Sequence, residues 1–177
     1  MSDLTHRVAR IGDLDILGEL MRLSIDALQN TFLSPAQVAA SHAIMGLDRQ
    51  LVLDGTYYVV EREGAVAGCG GWSRRATLYG GSHSAGRDDA LLDPARDPAR
   101  IRAMYTHPAF TRLGVGRRVI DVCESAAASE GFRHAELVAT LAGEPLYRAC
   151  GYLQIERFDS SPIDGVIIPL VRMGKAL

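Results

Sequence analysis

The segment TRLGVGRR, residues 111–118, carries the pattern on which the interpretation of this chain depends. It follows a strand-like stretch, RIRAMYTH at 100–107, which ends at Pro108, and it leads into a helical pattern at 114–130. Gly114 and Gly116 have no Cβ, so an anion can approach the backbone N–H groups where that helix begins. The helix dipole favours negative charge at the same end. The segment therefore predicts a phosphate-binding turn, with an ordinary tight turn as the alternative.

Two common phosphate motifs are excluded. A P-loop requires GxxxxGK[ST], which this segment lacks. The dinucleotide fingerprint GxGxxG requires a third glycine at the position of Val119. The prediction therefore rests on the glycines at the helix start and on the nearby Arg112, Arg117 and Arg118.

Length and composition predict one folded domain over residues 1–177. Apolar residues make up 47% and charged residues 23% of the chain, as in ordinary globular domains. The 19 basic and 21 acidic side chains give a net charge of −2, which argues against general binding to nucleic acid or to membranes. All basic residues except Lys175 are Arg. This bias is typical of a GC-rich bacterial genome, so Arg alone does not indicate phosphate binding.

The sequence shows no signal-peptide pattern, no apolar stretch of about 18 residues and no CxxC pair among its three cysteines. These features favour a cytoplasmic protein with free thiols, and they predict no metal site.

Hydrophobic periodicity and capping residues predict four helices and seven strands in a mixed α/β domain. The predicted helices are 13–28, 35–45, 114–130 and 144–149. The predicted strands are 6–11, 56–62, 65–73, 100–107, 134–140, 152–158 and 166–173. Pro169 predicts that the last strand lies at a sheet edge or carries a bulge, and such an edge could pair with a second subunit. Residues 74–98 form a long loop, which is typical of a functional or disordered segment.

A second motif, PLYRACGY at 145–152, places Tyr147 on a short helix that ends at Gly151. Taken alone, this pattern fits a core tyrosine packed on the sheet.

Together the two motifs resemble the GNAT family of acetyl-CoA-dependent N-acetyltransferases. The first family motif corresponds to residues 106–108 followed by TRLGVG at 111–116, and the second corresponds to LYRACGY at 146–152. The resemblance implies a single GNAT domain, with a mixed, mostly antiparallel sheet of about seven strands. About four helices flank this sheet, and its fourth and fifth strands splay apart. Thr111 and Thr140 depart from the residues usual at their positions, Gln or Arg and Asn respectively.

The resemblance also implies roles for individual residues. The backbone amides that would hold the pyrophosphate of acetyl-CoA are those of Leu113, Gly114, Val115, Gly116 and Arg117. Arg112 would add charge beside them. The strand edge at Met104, Tyr105 and Thr106 would bind the pantetheine arm. Tyr147 would be the general acid for the leaving thiolate, since an ordinary tyrosine is protonated at neutral pH.

The sequence defines less well the residues that would bind the amine that accepts the acetyl group. The candidate substrate residues are Trp72, Tyr79 and Glu136. Arg74 and Arg75 could bind an acidic substrate or be solvated. The amine must lose a proton before or during its attack on the thioester. His107, His134 and Glu136 are candidates for the general base that takes this proton, and none has a distinctive motif. Three functions stay open: acetylation of a primary amine of a small molecule, acetylation of a protein, and a catalytically silent acyl-CoA-binding or sensing module.

Overall fold

The computed structural model describes residues 3–177, which form one seven-stranded sheet with helices on both faces. The strands are β1 Leu4–Val8, β2 Tyr57–Arg62, β3 Ala65–Ser73, β4 Ala99–Thr106, β5 His134–Thr140, β6 Leu153–Asp159 and β7 Pro169–Ala176. The helices are α1 Leu14–Leu28, α2 Pro35–Ile44, α3 Arg49–Leu53, α4 Val115–Ser129 and α5 Glu144–Ala149. The predicted fold class is confirmed, with five α-helices in these residues where four were expected.

The sheet has the strand order β1-β2-β3-β4-β5-β7-β6. All neighbouring strands are antiparallel except β4 and β5, which run parallel. This parallel pair is joined only at Ala99 with Ala135 and at Arg100 with Glu136, after which the strands separate. The predicted splay is therefore confirmed, and it opens a gap at the carboxyl ends of β4 and β5.

The two faces of the sheet bury different helices. On one face, α1 packs Leu17 and Ile25 against Tyr57 and Val59 of β2. On the other face, α4 packs an apolar stripe against Val60 and the neighbouring strands; the stripe consists of Val115, Val119, Ile120, Cys123 and Ala127. Val59 and Val60 point to opposite faces of the sheet, as successive residues of a strand do. Both are apolar because helices cover both faces of β2.

The prediction for β7 was wrong in one respect. β7 lies inside the sheet, paired with β5 on one side and β6 on the other, and the edges are β1 and β6. Pro169 is the first residue of β7, a position at which a missing N–H is tolerated. Pairing of subunits through residues 166–173 is therefore excluded by the sheet itself. A homodimer formed in another way stays a prediction.

Three glycines of β3 allow close packing on both faces. A Cβ on Gly70 would lie 2.6 Å from Val119 Cγ1, and a Cβ on Gly68 would overlap Val115 Cγ1. A Cβ on Gly71 would lie 2.5 Å from the carbonyl oxygen of Thr56. The missing side chains of Gly68 and Gly70 let α4 lie directly on the sheet, and that of Gly71 lets the backbone before β2 approach β3.

Replacing Gly71 by Ala should destabilise the fold, because the added methyl group meets the backbone of β2, which cannot move freely. Overpacking of this kind costs about 1–3 kcal/mol. The matched control is Gly18→Ala in α1, where a Cβ meets no atom within 4 Å and helix propensity favours Ala by about 1 kcal/mol. Urea denaturation measures the free energy of unfolding of both variants, which should fall for Gly71→Ala and rise for Gly18→Ala. A Gly71→Ala variant as stable as the parent would contradict the packing described here.

Candidate functional site

The turn before α4 presents five consecutive backbone N–H groups. Arg112 and Gly114 have φ angles of 63° and 83°, and α4 begins at the next residue, Val115. The first N–H of this region that bonds within the chain is that of Arg118, which donates to the Gly114 carbonyl at 3.0 Å. Within residues 3–177, the N–H groups of 113–117 have no acceptor. An anion at this helix end would satisfy them and would also meet the positive end of the helix dipole.

Arginines border this turn. Arg117 Nη2 donates to the Ala149 carbonyl at 3.3 Å, and Arg118 Nη2 donates to the Leu4 carbonyl at 3.0 Å. Both side chains line an open groove of about 900 Å³ between β1 and the start of α4, together with Leu113 and Gly114. The groove and the free N–H groups therefore form one surface suited to a multiply charged anion.

A cleft of about 350 Å³ lies where β4 and β5 separate. Met104, Tyr105 and Thr106 of β4 line it, and so do Val138 and Thr140 of β5. Thr111 and Gly116 of the turn also line it, which joins the cleft to the free N–H groups at the start of α4. The predicted site residues found in this lining are Met104, Tyr105, Thr106, Gly116, Tyr147 and Tyr79. Val115 faces the core instead, and Arg112 lines neither cavity.

A bulge in β4 shapes this edge of the cleft. Cys69 is opposite Tyr105 and Gly71 is opposite Arg102, so Ala103 and Met104 together face the single residue Gly70. Ala103 has a φ of 51°, an uncommon conformation for a residue with a Cβ. The buried Tyr57 hydroxyl donates to the Ala103 carbonyl at 2.6 Å. This hydrogen bond satisfies a carbonyl that the bulge removes from the strand ladder.

Tyr147 lies on α5, and its ring packs edge-on against that of Tyr152, with centroids 6.1 Å apart. Gly143 precedes α5, and its N–H donates to Thr140 Oγ1 at 3.2 Å, which ties α5 to the end of β5. Burial raises the pKa of Tyr147 well above its ordinary value, with the nearby Cys123 and Cys150 acting in the same direction. The hydroxyl therefore stays protonated at neutral pH and can donate a hydrogen bond into the cleft.

Two predicted substrate residues lie outside the cleft. Trp72 is 1% exposed and packs edge-on against Phe132, with centroids 5.7 Å apart. Glu136 accepts hydrogen bonds from Arg100 and Arg172, at 2.9 and 2.6 Å. Trp72 is core because β3 is buried on both faces, and Glu136 is held by its arginine partners where β4 and β5 are still paired. The structure therefore corrects both assignments.

The candidate bases are also placed elsewhere. His107 Nδ1 accepts a hydrogen bond from the Ala109 N–H and so caps the short 3-10 turn Pro108–Phe110. His134 is exposed at the start of β5, which is the end remote from the splay. Neither lines the cleft.

Arg74 and Arg75 are held by internal partners. Arg74 pairs with Glu130 at 2.6 Å, and Arg75 forms two hydrogen bonds with Asp54, at 2.7 and 2.9 Å. Since these pairs neutralise both guanidinium groups, the structure corrects the interpretation that they bind an acidic substrate.

A buried ion pair anchors the loop 74–98 beside the cleft. Arg102 of β4 is 3% exposed and Asp48 is 1% exposed, and their side chains meet at 2.8 Å. Arg102 also donates to the carbonyls of Thr77 and Gly80, and Arg87 donates to Asp48 at 3.0 Å. This network fixes the part of the loop that places Tyr79 and Gly80 in the cleft lining. No sequence signal identified it, because the partners are far apart in the chain.

The end of α1, the segment after it and the end of α2 form a wall of the cleft. The resemblance to the family implies that the first two helices shape the acceptor side, but the sequence did not identify these residues. We call this wall the α1 wall; it consists of Ser24, Ile25, Leu28, Gln29, Phe32, Ile44 and Met45. The helical periodicity of α1 was correctly recognised. Periodicity does not distinguish a side chain that faces a core from one that faces a cleft.

An open sheet whose parallel strands splay beside a helix start with unpaired N–H groups is the arrangement that the resemblance to acetyl-CoA-dependent acetyltransferases implies. The sequence profile of the acetyltransferase (GNAT) family matches residues 23–152. The chain therefore belongs to the GNAT family of acetyltransferases.

Solved structures show the same fold. A GCN5-related N-acetyltransferase from Rhodopseudomonas palustris is 22% identical with a TM-score of 0.74, and the match covers 100% of this chain and 98% of that one. PaiA N-acetyltransferase from Thermoplasma acidophilum, in complex with coenzyme A, is 13% identical with a TM-score of 0.65 and 99% coverage of both chains. YncA from Salmonella typhimurium, with acetyl-CoA, is 18% identical with a TM-score of 0.66, covering 99% of this chain and 95% of that one. No curated protein sequence gave a significant match.

None of the helices in residues 3–177 is both long enough and apolar enough to cross a membrane. The same residues contain no group of three or more His, Cys, Asp or Glu side chains placed to hold a metal ion. The expectation that the protein uses no metal stays a prediction.

Replacing Asp48 by Asn should destabilise the protein by about 3 kcal/mol, because Arg102 would be left as a buried charge without its counter-ion. Amide hydrogen exchange should also become faster in the loop that Arg102 and Arg87 anchor. The control is Asp89→Asn, since Asp89 is 58% exposed and lies 3.4 Å from Arg87, so its loss should cost less than about 0.5 kcal/mol. Equal effects of the two substitutions in urea denaturation would refute the anchoring role.

Proposed function

We propose that this protein transfers the acetyl group of acetyl-CoA to a primary amine of a small molecule. The observation that carries the proposal is the continuity between five unpaired N–H groups at the start of α4 and the cleft between β4 and β5. Acetyl-CoA has a pyrophosphate, a pantetheine arm and a thioester, and these require an anion site, a strand edge and a cleft in that order. The coenzyme complexes of the PaiA and YncA proteins support this choice of acetyl donor.

The chain's own groups fit each part of the coenzyme. The N–H groups of 113–117 would bind the pyrophosphate, with Arg117 and Arg118 of the adjoining groove contributing charge and Arg112 adding to it from outside the groove. The edge of β4 at Met104, Tyr105 and Thr106 faces the gap and would hydrogen-bond the pantetheine amides as an added strand does. The coenzyme supplies a thioester, whose carbonyl carbon is open to attack by an amine.

Tyr147 would act at the sulfur. As the C–S bond breaks, negative charge develops on the sulfur, and the Tyr147 hydroxyl would donate a hydrogen bond to it. Because burial raises the pKa of Tyr147, the hydroxyl keeps its own proton and acts as a hydrogen-bond donor to the sulfur. We therefore assign Tyr147 the stabilisation of the thiolate, and the proton that finally reaches the sulfur comes from the acceptor through solvent.

Acetyl-CoA should raise the melting temperature by several degrees. A ligand present at about 100 times its Kd stabilises the native state by about 2.7 kcal/mol, and a domain of this size gains roughly 2–4 °C per kcal/mol. The control ligand is acetyl-pantetheine, which has the thioester but no pyrophosphate and should give a much smaller shift. No shift with acetyl-CoA at millimolar concentration would overturn the proposal.

The substitution Tyr147→Phe should lower kcat about 10–100-fold and change the Kd of acetyl-CoA little, since it removes one hydrogen-bond donor to the developing charge. Tyr58→Phe is the matched control, because Tyr58 lines neither cavity. The raised pKa of Tyr147 also means that deprotonation of this group should not reduce kcat below about pH 10. An unchanged kcat in Tyr147→Phe would remove Tyr147 from the mechanism.

A panel of amines and peptides with a thiol-release assay separates the remaining functions. Release with small amines supports the proposal, and release only with peptides identifies a protein N-acetyltransferase. Binding of acetyl-CoA without release for any acceptor identifies a silent binding or sensing module.

A further inference from the structure

Among the described residues, the cleft lining contains no carboxylic acid, histidine, lysine or arginine side chain. Its members are apolar residues, glycines, hydroxyl and thiol side chains and one carboxamide, that of Gln29. Burial raises the pKa of the Cys69 thiol to about 12, and it also raises the pKa of the Tyr105 hydroxyl. Both groups are therefore neutral at physiological pH. The interior of the cleft is therefore uncharged.

Two carboxylates near the cleft, Asp48 and Asp26, are held by other partners. Asp48 lies between Arg102 and Arg87. Asp26, one turn before Gln29 on α1, is 48% exposed and pairs with Arg22 and His42 on the outer surface. No carboxylate in the lining can accompany an ammonium ion into the cleft. A cation that enters would lose hydration without gaining a counter-ion, which is strongly unfavourable.

Gln29 has an unused hydrogen-bond acceptor in the α1 wall. The residue is 4% exposed, and its Nε2 donates to Met45 Sδ at 3.4 Å. Its Oε1 is buried and has no partner within the described residues. A buried carbonyl of this kind normally has a donor. Rotation about the terminal torsion of a Gln side chain is soft, so the carboxamide can turn this oxygen towards a ligand in the cleft.

On the basis of the function proposed above, we propose that the acceptor is a weakly basic primary amine on an apolar body, such as an aromatic amine. Gln29 Oε1 would accept one of its N–H hydrogens. Such an amine is neutral at pH 7, so it enters an uncharged cleft without shedding a proton and with its lone pair free. The nitrogen forms a bond to the acetyl carbon and the C–S bond breaks, with its electron pair going to sulfur. One N–H proton leaves the nitrogen and reaches the thiolate through solvent, which gives an amide and a thiol.

The first test compares aniline with benzylamine in the full chain with saturating acetyl-CoA, by thiol release. At pH 7 the kcat/KM for aniline should be at least tenfold higher. The rate with benzylamine should rise about tenfold from pH 7 to pH 8, because benzylamine is almost entirely protonated in this range and only its neutral form reacts. Spermidine should be inactive at pH 7. Benzylamine or spermidine reacting as fast as aniline at pH 7 would overturn the inference.

The second test changes the carboxamide. Gln29→Met keeps the length of the side chain and removes the acceptor, so it should lower kcat/KM for aniline roughly tenfold and weaken calorimetric binding of acetanilide. The thermal shift with acetyl-CoA should be unchanged. Gln29→Glu introduces a carboxylate and should raise the rate with benzylamine relative to aniline. Gln154→Met, on the exposed strand β6, is the control and should leave all these values unchanged.

The outcomes separate this inference from the proposed function. Absence of an acetyl-CoA thermal shift, or of thiol release with every acceptor, refutes the proposed function. Thiol release that favours charged amines, or a Gln29→Met variant indistinguishable from the parent, refutes the assignment of the acceptor while the proposed function stands.

Discussion

The separation of β4 from β5 after two residue pairs is the constraint on which the rest of the molecule depends. A strand that leaves its neighbour exposes backbone N–H and C=O groups, and these require partners from a ligand, from water or from elsewhere in the chain. The bulge at Ala103 and Met104 supplies one internal solution, because Tyr57 binds the carbonyl that the bulge releases. The remaining edge of β4 faces the cleft and is available to a ligand with amide groups.

Two other features keep the gap open. All seven residues of β5 pair with β7. A movement of β5 towards β4 would therefore have to move β7 and β6 as well. On β4, the buried charge of Arg102 is fixed by Asp48 and by two loop carbonyls. The glycines of β3 bring α4 directly onto the sheet, and so the free N–H groups of α4 lie next to the gap. The unpaired N–H groups and the cleft are therefore consequences of one packing arrangement.

The sequence allowed prediction of the elements whose signals are local. β5 and α5 have the predicted bounds, because each is bordered by clear breaks in its pattern. α3 was not predicted because five residues are too few for a periodic signal. The first strand was placed two residues too late, and the position of β7 was misjudged because a proline at a strand start was interpreted as an edge signal.

The part of the candidate site that lies in contiguous sequence motifs could be predicted better than the rest. The residues of the turn and of β4 lie in a contiguous motif, so their positions were available from sequence. Trp72 and Glu136 were misplaced because their surroundings depend on contacts with Phe132 and with Arg172, which are distant in the chain. The α1 wall and the ion pair of Asp48 with Arg102 were missed for the same physical reason, since each is defined by tertiary contacts and not by a local pattern.

The low polarity of the cleft has opposite effects on the two partners of an acetyl transfer. It favours the neutral form of an amine, which is the nucleophilic form, and it disfavours the thiolate that must leave. A donor at the sulfur has to offset the second effect, and Tyr147 is suited to this because burial keeps its proton in place. The uncharged α1 wall and the protonated tyrosine are thus complementary: a cleft that admits a neutral nucleophile needs a fixed hydrogen-bond donor for the charge that an acetyl transfer creates.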